Sequence, residues 1–170
     1  MIRSMLYATD LGLYAPYVMQ HALALARTFK AELYVVHVVE PMGLFAESVL
    51  QSYLGEDALK DLRSQGLNSV MEGIEQKVLD GFRDELGADH QDLALISTVR
   101  VVQGDPCNMI LEQADELKVD LLVVGSHSRG AETTTPIGRT AARVLQLSQV
   151  PVYMVPGCTK SVRTSNGLTD

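Results

Sequence analysis

The chain has 170 residues, and 46% of them are hydrophobic, enough for one domain of ordinary size with a sizeable core. Its net charge is −7, from 14 basic and 21 acidic side chains with no basic cluster, which argues against broad binding to nucleic acid or to an anionic membrane surface. No segment approaches the ~20 apolar residues of a membrane span, the N-terminal apolar run is too short for a signal peptide, and Cys107 and Cys158 show neither a CxxC nor a metal-ligand spacing, so a reduced, cytoplasmic setting is expected.

The first apolar run, Ile2 to Ala8, reads as a strand and ends in Thr9, Asp10, Leu11 and Gly12. A helix follows, with Pro16 near its start and a stripe of Val18, Ala22, Leu25, Ala26 and Phe29. His21 lies within it and is expected to be structural. Leu33 to Val39 forms the second strand, with His37 read as structural too. Residues 40–55, from Glu40 through PMGLFAESVLQSYLG, read as an excursion that either covers a pocket or packs as a plain loop. Residues 56–87 carry a helical stripe of Leu67, Val70, Met71, Ile74, Val78 and Phe82, and His90 follows in a polar loop.

The third strand, Leu95 to Val102, contains Ser97, Thr98 and Arg100, so one face is partly wet and an edge position is expected. Then comes the tripeptide Gly104-Asp105-Pro106, which reads as a turn glycine, an N-cap and a first helical residue. Gly104 also remains a candidate for a pocket wall. Ile110, Ala114 and Leu117 mark the helix it opens, with Cys107 and Met109 packing at its start. Leu121 to Val124 is the fourth strand.

The stretch GSHSRGAETTTPIGRT, residues 125–140, separates that strand from a helix marked by Ile137, Ala141, Val144 and Leu145. A bare connection needs only a few residues. Thr135 reads as the N-cap and Pro136 as the first helical residue, which places Gly138 in the first turn. A glycine there costs roughly 1 kcal/mol relative to alanine. Two explanations stand: a phosphate approaching the free amides of the helix start, or close packing of helix on strand. Arg139 and Thr140 would add a charge and a hydroxyl, and His127 and Arg129 could face an anion. The fifth strand, Val150 to Val155, contains Pro151, which suits an edge. The tail 157–170 is polar, without periodicity, and is expected to be disordered.

Apolar runs alternating with helical patterns give the order β-α-β-α-β-α-β-α-β, the mark of a doubly wound open α/β domain with a five-stranded parallel sheet and helices on both faces. In such a sheet ligands bind beyond the carboxyl ends of the strands, where the winding reverses. The motifs of P-loop nucleotidases, dinucleotide sites, nucleophile elbows and zinc proteases are missing, so nothing in the sequence demands catalysis.

The spacing Gly125, Ser128, Gly138, Arg139 resembles the universal stress protein signature of Gly, two residues, Gly, nine residues, Gly, then Ser or Thr. The flanking VDLLVVGSH, ARVLQLSQVPVYMVP and YATDLG resemble that family as well, and the similarity covers residues 1–156. Ser128 stands where the family has its second glycine, and Arg139 where it has Ser or Thr. Thr140, one residue on, offers a hydroxyl, and the Arg139 guanidinium can itself pair with a phosphate. The resemblance implies a sheet order of 3-2-1-4-5 and ATP or AMP, with or without Mg²⁺, in the crevice between the first and fourth strands. Ala8, Thr9, Asp10 and Val39 would surround adenine and ribose, Gly125, His127, Arg129, Gly138, Arg139 and Thr140 the ribose and phosphates, and Gly104 would line the wall. It also implies a homodimer through the fifth-strand edge, Val150 to Val155. Two alternatives remain: a stress-response interaction module without a ligand, suggested by Ser128 and Arg139, and a slow ATPase, for which Asp10 and His127 are the only candidate bases.

Overall fold

A computed structural model of the chain describes residues 1–41, 43–61, 64, 67–86, 91–127 and 137–157. Strand β1 (Ser4–Thr9) leads into α1 (Ala15–Phe29) and β2 (Glu32–Val39). Then come α2 (Leu44–Tyr53), α3 (Glu56–Asp61), α4 (Leu67–Leu86) and a short 3₁₀ turn (Gln91–Leu95). The second half runs β3 (Ile96–Gln103), α5 (Pro106–Glu116), β4 (Leu121–Gly125), α6 (Arg139–Leu147) and β5 (Val152–Val155). The sheet has five strands in the order β3-β2-β1-β4-β5, and each pairing is parallel.

Strand alternation divides the core into two layers. Met5 and Tyr7 of β1, Leu33 and Val35 of β2 and Val123 of β4 face α1 and α4, where Val18, Met19, Ala22, Leu23, Ala26, Val78 and Phe82 close over them. Leu6, Val36, Leu122 and Val124 face the other way, onto Cys107, Ile110 and Ala114 of α5 and Val144 of α6. Both faces are covered, which is why β1, β2 and β4 read as near-continuous apolar runs. The wet third strand and the proline-led fifth strand are the two edges.

Several boundaries differ from the sequence reading. Residues 40–55 are not a plain excursion: Leu44–Tyr53 is helical. Within the segment read as helical at 56–87, the described residues form α3 and α4. Helix α6 begins at Arg139 with Gly138 as its N-cap, so Gly138 precedes the first turn rather than lying inside it. The expected cap and first helical residue, Thr135 and Pro136, lie outside the described residues. Pro151 and Val150 stand just before β5, and the carbonyl of Pro151 accepts the Leu122 N–H at 2.9 Å. The tail beyond Gly157 also lies outside the described residues.

Candidate functional site

The chain winds outward from β1 through β2 to β3, then returns to the other side of β1 with β4. The connections leaving β1 and β4 therefore diverge, and the pairing of Ala8 with Val124 sets their carboxyl ends side by side. A cavity of about 620 Å³ opens there, within the ~300–1,000 Å³ range of small-ligand sites. Of the eleven residues singled out from the sequence, Ala8, Thr9, Asp10, Val39, Gly125, His127, Gly138, Arg139 and Thr140 line it.

The β1 side is a tight turn held by its own side chains. Thr9 Oγ1 accepts the Leu11 N–H at 3.1 Å, and Asp10 Oδ1 accepts the Gly12 N–H at 2.9 Å. Leu11 is driven to φ +57°, a left-handed conformation that costs an L residue about 1–2 kcal/mol. The carbonyl of Gly12 then receives the Ala15 N–H at 3.0 Å and opens α1. Asp10 thus shapes the turn, while the N-cap of α1 is Tyr14, which makes no side-chain cap.

The β4 side is assembled around Ser126. Its N–H donates to Val155 at 2.8 Å, its carbonyl accepts the Gly138 N–H at 2.7 Å, and its hydroxyl accepts the Gly157 N–H at 2.8 Å. The same hydroxyl lies 3.0 Å from His127 Nδ1. One buried serine thereby ties the exit of β4, the end of β5 and the start of α6 together. A Cβ placed on Gly138 would meet the Ser126 carbonyl oxygen at 3.0 Å and His127 Cα at 3.6 Å. Close backbone packing therefore accounts for the glycine without a ligand. Gly138 has no side chain to cap α6, so the first amides of that helix, at Arg139 and Thr140, lack an intrahelical acceptor, and both residues line the cavity.

Gly104 is absent from the cavity wall. It sits at φ +155°, donates its N–H to Val39 at 3.0 Å, and would drive a Cβ to 2.6 Å from Met109 Cγ. Its role is the turn into α5. Arg129 and Ser128 lie outside the described residues. Asp105 caps α5 as expected, accepting the Asn108 N–H at 3.0 Å. That bond, with Arg143 at 3.2 Å, holds its carboxyl below the usual range. Cys107 is buried and packs, and its burial pushes the thiol up.

His37, read from the sequence as structural, and Glu40, Ile74 and Ser126, left out of the candidate site, also line the cavity. His37 shares the odd-numbered parity of Leu33, Val35 and Val39, a signal that was available. Chemically the cavity offers apolar walls from β2 and α4, carboxylates at Asp10 and Glu40, and amides with a guanidinium at the start of α6. Among the described residues no group of three or more His, Cys, Asp or Glu could hold a metal ion, and no helix is long and apolar enough to cross a membrane.

Comparison with known proteins adds a second line. A sequence profile described as the Universal stress protein family matches residues 1–156. Universal stress protein MJ0531 of Methanocaldococcus jannaschii is 29% identical over 140 residues, covering 80% of this chain and 71% of that protein. Universal stress protein YxiE of Bacillus subtilis is 27% identical over 156 residues, covering 91% and 99%. The solved structure of MJ0577, also from M. jannaschii, shares the fold with a TM-score of 0.62 at 22% identity, covering 94% of this chain and 99% of that one. A universal stress protein solved in complex with cAMP has a TM-score of 0.58 at 26% identity, covering 91% and 97%.

Proposed function

The chain belongs to the universal stress protein family, and from that premise we propose that it is an adenine-nucleotide-binding regulatory protein of the stress response, cytoplasmic, dimeric and not an enzyme. The observation that carries the reading is the cavity at the β1–β4 crossover, bounded on one side by the uncapped start of α6. Amides at a helix start together with a guanidinium form an anion site, even on a chain of net charge −7. The cAMP complex of a relative supports an adenine nucleotide as the class of ligand.

In this reading ATP or AMP lies with its base toward Val39 and the end of β2, its ribose near Asp10, and its phosphates near Gly125, His127, Arg139 and Thr140. Asp10 accepts from ribose hydroxyls, and Arg139 pairs with phosphate where the family carries a hydroxyl. Mg²⁺, where present, arrives with the phosphates. Dimerisation through β5 follows from its position as an edge whose backbone is open to a second copy.

Full-length protein, stripped of bound small molecules by reversible denaturation, tests this. Titration calorimetry with ATP or AMP, with and without Mg²⁺, is expected to give saturable one-site binding that Arg139→Ala weakens about tenfold by loss of a charged phosphate contact. Sedimentation of the same sample is expected to give a dimer. Absence of heat and of any thermal shift at millimolar nucleotide would sink the nucleotide reading. It would leave the ligand-free interaction module, which draws on the Gly138 packing against Ser126.

A further inference from the structure

We infer that His37 reads the nucleobase, accepting the exocyclic amino group of adenine through Nε2 and so selecting a 6-amino over a 6-oxo purine. The inference rests on the nucleotide reading above and adds to it a specificity residue for the base.

His37 Nδ1 lies 2.9 Å from the main-chain oxygen of Thr9. A carbonyl oxygen can only accept, so the proton of that bond sits on Nδ1. In the neutral ring this fixes the tautomer, and Nε2 is left with a lone pair and no proton. Among the described residues Nε2 has no hydrogen-bond partner, yet no buried polar side-chain atom is left unsatisfied, so Nε2 is open to solvent. His37 lines the cavity. The nitrogen it offers to a ligand is therefore a pure acceptor held at a fixed position, because the other nitrogen is anchored to β1.

The surroundings suit a base. His37 and Val39 project from the same face of β2, and Ile74 of α4 lines the cavity from that side. Two aliphatic side chains can flank a flat ring while the imidazole meets its edge. Adenine presents a donor at its 6-position, and hypoxanthine and guanine present an oxygen there. Opposite a lone pair that oxygen forms no bond and leaves both acceptors desolvated. The carboxylates that also border the cavity, Asp10 and Glu40, are exposed. Asp10 is already engaged with the Gly12 N–H of its own turn, whereas the His37 ring is anchored on β2 beside Val39 with its second nitrogen available. A site built on a fixed hydrogen-bond partner rejects the mismatched analogue far more strongly than an apolar pocket rejects a change of size.

Two measurements on the full chain test this. Two-bond ¹H–¹⁵N correlation of the histidine rings, at a pH where His37 is neutral, is expected to show its proton on Nδ1. A proton on Nε2 overturns the assignment. Calorimetry with ATP and ITP is expected to give a preference for ATP of about tenfold or more. His37→Phe, checked for folding by its thermal melt, is expected to bring the two affinities within about twofold while triphosphate binding remains. His37→Gln, whose amide oxygen can stand near the position of Nε2, is expected to recover part of the preference. An ATP:ITP ratio that His37→Phe leaves unchanged overturns the role of His37 alone. Failure of the wild-type chain to bind either nucleotide overturns the nucleotide reading together with it.

Discussion

Gly138 and Gly81 show how far a single residue's effect depends on what lies beside it. Gly138 has φ −67° and ψ 155°, conformations open to any residue, so its backbone is unstrained. The constraint is contact: an added methyl meets the Ser126 carbonyl, which is already fixed by the Gly138 amide and lies on a residue whose own N–H is held by Val155. Gly81 lies within α4 with nothing inside 4 Å of its Cβ position. Gly138→Ala is thus expected to destabilise the fold by about 1–2 kcal/mol through overpacking. Gly81→Ala should instead stabilise it by up to ~1 kcal/mol through helix propensity. Urea unfolding of both variants checks the pair, and equal, neutral effects would refute the packing account of Gly138. From the sequence Gly138 stood out, but ligand approach and packing could not be separated. The deciding neighbour, Ser126, is twelve positions earlier, and its distance depends on the path between them. The cavity-facing position of His37 was hidden for a related reason. Its parity on the strand was readable, but whether that face was roofed by a helix or open at its upper end was not.

Among the elements, those defined by burial were legible. The five strands and the Val18, Ala22 and Ala26 part of the α1 stripe follow from apolar periodicity, although Phe29 is exposed and Met19 and Leu23 are buried instead, and the cap of α5 follows from the chemistry of Gly104-Asp105-Pro106. Helix α2 was read as an excursion, and its described side chains at Ser48, Val49, Gln51, Ser52 and Tyr53 are exposed. The cap of α5 gives a prediction of its own. Asp105 accepts the Asn108 N–H and contacts Arg143 of α6, so it stabilises the start of one helix and ties it to the next. Both interactions favour the carboxylate, and the folded-state pKa lies below the unfolded one, with the Asn108 bond as the larger cause. Stability from such a group is present above the unfolded pKa and is lost as pH falls through the folded value. Asp105→Ala is expected to lower Tm by about 2–4 °C near neutral pH. That difference should shrink as pH falls below about 4, the ordinary carboxylate range. A gap between wild type and variant that stays constant from pH 7 to pH 3 would show that the charge contributes nothing. Asp120 has the same sign, since it accepts the N–H groups of Arg3 and Ser4 at 2.7 and 3.1 Å and is likewise shifted down.

At the scale of the whole molecule, one sheet serves two apolar layers, and the question is whether they form one cooperative unit. Only part of this arrangement was legible without the family resemblance. The wet face of β3 and Pro151 before β5 identified the edges, whereas the central order came through family resemblance, because parity along a strand does not say which strand is its neighbour. Leu6 and Leu33 are both fully buried on adjacent strands, yet Leu6 belongs to the layer under α5 and α6 and Leu33 to the layer under α1 and α4. Neither lines the cavity. Leucine-to-alanine changes at such sites cost about 3–5 kcal/mol, the lost transfer energy plus the cavity left behind. Since the strands carrying the two layers share their backbone hydrogen bonds, a defect on either face must weaken the other. Leu6→Ala and Leu33→Ala are each expected to lower global stability by that amount, with a single urea transition and an unchanged slope. Tyrosine fluorescence and far-ultraviolet circular dichroism should trace the same curve in both variants. Two separated transitions in either one would mean that the layers unfold independently, and a nucleotide bound at the crossover would then stabilise only the layer whose helices it touches.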